Sequence, residues 1–515
     1  MSRSVFTAAL LLGLSTLASA QRLEDARPVR PDAPSVEDVV VLRQPLDLPQ
    51  MGEPADATLS PAEELALGSQ VVSQMYQYEY VFEDAEVSDY IAAMGWKLAA
   101  AGQTRPDHLA FLVIADPRIN AFALPGGYIG MNAGLITASS SESELAGVMG
   151  HELAHVTQRH IARSASASGG LATVATWAAV LAAILAGSGD PDVVLAALSV
   201  GTAASYQRQV SFIRAHELEA DRIGIQTLAA AGYNPEGMAN FFQRLEQQSR
   251  LYGTGIPEIL RTHPVNTTRI SEARARIAAL PARTVPDSLD YQLMKARTQV
   301  FAADQPSAAV AAFSARLEAG EDSPATRYGL ALAQHQLGQA EAARRSLDPV
   351  LQRHPRQAHL NLLRAAIDFS GGAREAALNR YAETLKAYPR FAPAILAYAD
   401  ALIQAGRAPA ARDVLLSHEQ ALGTRLETYR LLASAARETD DNGEASFQMA
   451  NYLYLRGDPG GALAQLDAGL RIASLSPQDR ARLAARRSEV RDALPRNFDP
   501  YRRPDQRRLG SAPAR

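Results

Sequence analysis

Apolar and polar positions follow three rhythms along this chain. Arg3 precedes an apolar run at residues 5–17. Residues 109–114 are strand formers, and so are 120–124 and 128–131, which flank a Pro125-Gly126-Gly127 turn and therefore predict a hairpin. A helix start is predicted at Pro61-Ala62-Glu63-Glu64. A second is predicted at Ser141, which forms a capping box with Glu144. In this second helix Leu145, Val148, Met149, Leu153 and Val156 make much of the surface apolar. Two alanine-rich apolar stretches, 171–186 and 193–204, are parted by Gly187-Ser188-Gly189-Asp190-Pro191-Asp192. Neither reaches the roughly 20 residues that span a bilayer. They predict a helical hairpin across 171–204, packed on the body or resting on a membrane as a peripheral contact.

Beyond residue 288 the rhythm becomes a repeat. Gly338, Gly372 and Gly406 recur every 34 residues, as do Ala309, Ala343, Ala377 and Ala411, and also Ala331, Ala365 and Ala399. Pro355 and Pro389 close two units. Glycine at the turn lets the chain fold back tightly, and alanines let two helices approach closely. With this period the pattern is that of tetratricopeptide helix pairs. Gly457, flanked by Ala450 and Ala462, stands 51 residues after Gly406 and predicts one interrupted unit. Four or five helix pairs are expected between about 288 and 490. Such an array offers a concave surface to peptides or partner proteins, or packs on its neighbours.

The chain of 515 residues exceeds what one core usually serves. Ala18-Ser19-Ala20 ends the first apolar run as an A-x-A cleavage site, so residues 1–20 read as a signal peptide. Residues 21–58 are rich in proline and aspartate and read as a disordered linker. A first domain is expected at 59–285, the repeats at 286–492 and a basic tail at 493–515. There is no cysteine, which excludes disulfides and a cysteine-linked lipid anchor. Export without cysteine predicts the periplasm of a Gram-negative bacterium. The net charge of −4 is mild and spread along the chain, and nothing in it points to nucleic acid.

The candidate chemistry lies in the first domain. His151-Glu152-Leu153-Ala154-His155 reads H-E-x-x-H. Positions i and i+4 share a helix face, so both imidazoles can meet one Zn2+ ion, with Glu152 as general base. A metzincin would need a glycine and a histidine where this chain has Gln158 and Ile161, and His160 is out of register. A glutamate from a second helix is the other solution. In the stretch from Arg214 to Gly224, Glu217 and Asp221 again lie four apart. Glu217 is expected as the third ligand, with Asp221 hydrogen-bonded to the outer side of a liganding histidine. Glu219 points roughly 200° away, to solvent or an arginine, and His216 is about 100° off the ligand face, a neighbour and not a ligand.

H-E-x-x-H followed some sixty residues later by E-x-E-A-D-x-x-G resembles the metallopeptidase family of HtpX and the CAAX prenyl endoprotease. Asn120-Ala121-Phe122-Ala123-Leu124-Pro125-Gly126-Gly127-Tyr128-Ile129 is similar to that family's N-A-F-x-x-P-G-G-x-I element, and Thr262-His263-Pro264 to its T-H-P loop. The resemblance covers about residues 60–280. A strand beside a zinc site binds an extended peptide through its backbone, so Asn120, Ala121, Phe122 and Ala123 are the candidate substrate strand. His263 is a candidate catalytic residue in one of two roles: stabilising the oxyanion, or filling the open zinc position until substrate displaces it. A plain turn residue is the third reading.

The expected fold is mainly α with a small β-sheet: a zincin-type α+β catalytic domain followed by a tetratricopeptide α-solenoid. The expected activity is zinc-dependent endopeptidase, with one Zn2+ per chain. The order of export signal, zinc domain and repeats resembles an envelope branch of this family. That likeness implies quality control of misfolded or stalled outer-membrane proteins, with a chaperone-like role in assembly. The implied partners are unfolded or partly assembled outer-membrane β-barrel proteins and their assembly machinery. The alternative is a non-catalytic repeat scaffold with a structural zinc site, which an intact Glu152 argues against because such a site needs no general base.

Overall fold

The computed structural model describes residues 59–102, 106–167, 203–252, 259–260, 263–264 and 267–494. The export signal, the linker at 21–58, the apolar stretches over 171–202 and the tail from 495 lie outside the described residues.

Helix α1 (Pro61–Gln77) begins at Ser60. The Ser60 hydroxyl accepts from the Glu63 amide, and Glu63 Oε2 accepts from the Ser60 amide at 2.9 Å. That pair is a complete capping box, with Pro61 at the first helical position. Asp84 caps α2 (Ala85–Ala101). Strands β1 (Ala110–Ile114), β2 (Ala121–Leu124) and β3 (Tyr128–Asn132) form a sheet ordered β1-β3-β2. The hairpin reads as expected: β2 and β3 are antiparallel with Leu124 opposite Tyr128, and Gly126 and Gly127 turn at φ of 75° and 82°. Those angles suit glycine and few other residues. β1 runs parallel to β3, so among the described residues β2 has a partner on one side only.

Next come α3 (Ala133–Ala138), α4 (Glu142–Thr157), α5 (His160–Ala167), α6 (Ala203–Ala230), α7 (Glu236–Tyr252) and α8 (Thr267–Ala278). The capping box expected at α4 is half formed. Ser141 accepts from the Glu144 amide at 3.2 Å, but Glu144 Oε2 takes the Ser140 amide at 2.7 Å and Arg244 at 2.5 Å. The arginine of α7 draws the carboxylate off the cap. Helix α4 is apolar on most sides because it is central. It packs against α2, α6, α7, β2 and β3, and its residues 143–154 are buried.

The repeats are six helix pairs among the described residues, where four or five were expected. They are α9 (Leu289–Phe301) with α10 (Pro306–Glu318), α11 (Pro324–Gln336) with α12 (Ala340–Arg353), and α13 (Ala358–Ser370) with α14 (Arg374–Ala387). The series continues with α15 (Ala392–Gln404) and α16 (Ala408–Ser417), then the short α17 (Glu419–Leu422). It ends with α18 (Leu426–Glu438) and α19 (Asn442–Leu455), then α20 (Pro459–Leu470) and α21 (Pro477–Asp492). The interruption expected near Gly457 is absent. The 34-residue period continues at Asp440, which takes the left-handed turn at φ 57° in place of glycine. Aspartate tolerates that conformation because its short side chain bonds locally.

The hydrophobic core crosses residue 285 without a break. Leu293, Met294, Tyr328 and Leu330 share one buried cluster with Leu135, Leu145 and Met149. Tyr291 Oη meets Ser139 at 2.9 Å. Arg297, its side chain 14% exposed, pairs with Asp84 at 2.7 Å and Glu86 at 2.9 Å, and His359 Nδ1 lies 2.6 Å from Glu86. Farther along the array, Arg425 pairs with Asp89 at 2.7 Å. Arg456 reaches Glu79 and Glu83, and a Cβ at Gly457 would lie 2.4 Å from the Ser73 carbonyl oxygen.

Candidate metal centre

Two glycines let the helices that bear the candidate residues cross closely. A Cβ on Gly150 of α4 would lie 3.4 Å from the Gly224 carbonyl of α6, and one on Gly224 would lie 3.1 Å from the His151 amide. The approach sets Glu217 and Asp221, two turns and one turn before Gly224, beside His151 and His155. Four donors converge there: His151, His155, Glu217 and His263, with ligand atoms all within 4.8 Å of one another. His155 Nε2 is 3.1 Å from His151 Nε2 and 3.4 Å from Glu217 Oε1. Glu217 Oε2 is 3.4 Å from His151 Nε2. His263 Nδ1 is 3.4 Å from His151 Nε2 and 3.0 Å from Glu217 Oε1. Ligand atoms about 2.0–2.1 Å from a tetrahedral ion stand roughly 3.3 Å apart, so this spacing fits one zinc.

Glu152 adds an independent sign of fit. It is completely buried, and neither carboxylate oxygen accepts a hydrogen bond among the described residues. His263 Nε2 stands 3.5 Å from Glu152 Oε1. A buried carboxylate without a donor is costly unless a bound ion or reactant serves it.

Each ligand histidine is backed from outside. Asp221 Oδ1 lies 3.0 Å from His151 Nδ1. Arg269 then grips both Asp221 oxygens at 2.7 Å, pairs with Glu217 Oε2 at 2.8 Å and donates to the Pro264 carbonyl at 3.0 Å. Arg269 belongs to none of the motifs read from the sequence. Its one signal is position, five residues after Pro264 of the Thr-His-Pro turn. Behind His155 lies His160, whose Nδ1 is 2.9 Å from His155 Nδ1. Glu219 pairs with Arg163 at 3.0 Å, as one of its two expected settings had it, and is not turned to solvent. His216 is outside the ligand set, stacked on His160 with centroids 4.2 Å apart.

Burial works against charge on His151, yet its bonds to Asp221 and Glu217 outweigh it and raise its pKa to about 10. Burial, aided by neighbouring imidazoles, holds His155 well below the usual range. For Glu217, burial is outweighed by His263 and Arg269, which hold its carboxyl well below the usual range. A neutral His155 and an ionised Glu217 are the forms that bind metal.

Asn120 precedes β2, and Ala121, Phe122 and Ala123 lie within it. The side chains of Asn120, Ala121 and Phe122 are buried, so what this strand offers is its backbone edge. A cleft of 430 Å³ runs beside it, lined by Ala123, Leu124, His155, Val156 and Ile161 among others.

The model of Peptidase family M48 matches residues 85–277. The chain is 31% identical over 458 residues to the beta-barrel assembly-enhancing protease of Escherichia coli (strain K12), covering 88% of this chain and 93% of that protein. The protein of the same description from Yersinia pestis is 34% identical over 449 residues, with 86% and 91% covered. The mitochondrial metalloendopeptidase OMA1 of Arabidopsis thaliana is 34% identical over 158 residues, or 31% of this chain and 29% of that one.

Proposed function

Because this chain belongs to peptidase family M48 and is a metalloprotease, we propose that it is a zinc endopeptidase of the periplasm, acting on misfolded or stalled outer-membrane proteins. The observation that carries the chemistry is Glu152, buried without a hydrogen-bond donor among the described residues, beside four converging ligand atoms. His151, His155 and Glu217 would hold the ion, with Asp221 fixing the His151 ring. Zinc bound there would supply a Lewis acid that polarises a peptide carbonyl and makes a water easier to deprotonate.

Every other step belongs to the chain. The open edge of β2 binds the substrate as an added strand, which is largely indifferent to side chains and suits unfolded segments. Glu152 takes a proton from the attacking water and passes it to the leaving amine. His263 closes the ligand set in the resting state and yields its place to substrate. Arg269 fixes the Pro264 carbonyl beside it.

Location and clients rest on other features. Support for the periplasm comes from the apolar run at 5–17, Ala18-Ser19-Ala20 and the absence of cysteine. No described helix is long and apolar enough to cross a membrane. The names of the relatives support outer-membrane proteins as clients, and the repeats offer a surface for them. The test is digestion of an unfolded outer-membrane barrel by the purified mature chain, with metal analysis on the same sample. Cleavage that a chelator stops and zinc restores supports the reading. Metal-free or chelator-resistant cleavage overturns it.

A further inference from the structure

The carboxylate of Glu219 and the ring of His160 form a chain that ends on His155. His155 turns Nε2 to the ligand cluster, and its Nδ1 lies 2.9 Å from His160 Nδ1. His160 Nε2 lies 3.2 Å from Glu219 Oε2, which Arg163 Nη1 holds at 3.0 Å. The direction of donation follows from the far end. An ionised carboxylate only accepts, so a neutral His160 ring donates from Nε2 to Glu219 and keeps the lone pair on Nδ1. His155 Nδ1 must then donate to it, which leaves the lone pair of His155 Nε2 facing the cluster. We infer that His160, oriented by Glu219, is a positioning residue that fixes the ring and tautomer of His155 for metal binding, as Asp221 does for His151. This rests on the reading of His151, His155 and Glu217 as zinc ligands.

Three observations show a built arrangement. Arg159, two residues past the end of α4, takes the left-handed region at φ 50°, rare for a residue other than glycine. Had the helix run on, His160 would stand about 140° around the axis from His155; the turn brings it back over that ring. Arg159 is itself anchored to Glu64 at 3.1 Å and to the Leu59 carbonyl at 2.7 Å. Finally, the His216 ring lies nearly parallel to His160, 6° between planes, and clamps it against rotation.

The test is zinc affinity of the full mature chain, read by competition with a chromophoric chelator, alongside the Tm of each metal-free protein. His160→Phe keeps a flat ring under His216 but has no acceptor. His160→Asn places a carbonyl oxygen near the lost Nδ1. His160→Phe should weaken zinc binding about 10–100-fold, the usual effect of losing an outer partner. His160→Asn should restore it to within about threefold of wild type, with a metal-free Tm no higher than that of His160→Phe. Wild-type affinity in His160→Phe overturns the inference, and so does an Asn variant as weak as Phe. If His160→Phe does not fold, Glu219→Ala takes its place and should weaken zinc about tenfold; unchanged affinity there is the overturning result. A wild-type chain that binds no zinc, or His155→Ala binding as tightly as wild type, sinks the ligand assignment instead.

Discussion

The Nδ1 of His263 stands 3.0 Å from Oε1 of Glu217, and its Nε2 stands 3.5 Å from Oε1 of Glu152. One imidazole thus touches both a ligand and the base. A group in that place competes with substrate for the open coordination position. His263→Ala is therefore expected to raise basal cleavage with zinc content unchanged. A fall in turnover of about 10²–10³-fold would instead mark an oxyanion donor. Turnover within about twofold of wild type would leave His263 a turn residue.

Glu152→Gln should abolish hydrolysis and leave zinc bound, because Glu152 is absent from the converging ligand set. Turnover and metal content measured on one sample decide it. Lost zinc or retained activity would each contradict the role of base.

Glu217→Ala should empty the zinc site at concentrations where Glu219→Ala still fills it. The first removes a donor atom; the second removes only the far end of the chain behind His155. Metal titration of both variants checks the order, and equal loss would mean that the α6 register is misread.

Asp84→Asn should destabilise the chain by about 3 kcal/mol at pH 7, no more than the lower end for breaking a buried pair, since this pair is only largely buried and Glu86 stays with Arg297. Burial raises the Asp84 pKa, but Arg297 outweighs it and holds the carboxyl below its usual range. The folded value is thus below the unfolded one. The stability it contributes is full above the unfolded value, near pH 4, and is lost as pH falls through the folded value. Urea midpoints of wild type and variant should therefore differ most at neutral pH and converge in acid. A gap that does not change with pH would remove Asp84 as its source.

Ending the chain at residue 285 should not release a working catalytic domain. Tyr291, Leu293 and Met294 are buried in the cluster that holds Leu135 and Leu145, and Ser139 would lose Tyr291. The truncated chain is expected to be insoluble, or to unfold without a cooperative transition by circular dichroism. A truncated protein with a wild-type melting profile would show that the shared core is dispensable.

Much of the site was legible because it obeys helical geometry. The spacing of His151 and His155, and of Glu217 and Asp221, states which side chains share a face, and the structure brings those faces together. The hairpin was legible from Pro125-Gly126-Gly127. Arg269 was not, because its contacts to Asp221 and Glu217 bridge segments about fifty residues apart. His160 is out of register with His155 only along one continuous helix. Arg159, a residue with no turn signature, breaks that helix. The angle that sends Glu219 away from Glu217 was sound, but what lies there is His160 and Arg163 of α5. Asp440 hides the continuing 34-residue period, since the other turns of that period carry glycine.

The contact between Gly457 and Ser73 has a consequence for how such a chain can change. Open solenoids grow or shrink by whole units, and each length serves as well as the next. Here the stretch from α9 to Gly457 is a bridge with footings on α2, at Glu86, and on α1, at Ser73. A duplicated unit within it would carry Gly457 off its footing and strand Arg456 away from Glu79 and Glu83. Units can be gained without that conflict only past α20 and α21, so descendants of this gene should vary in repeat number at the far end and hold it constant between the piers.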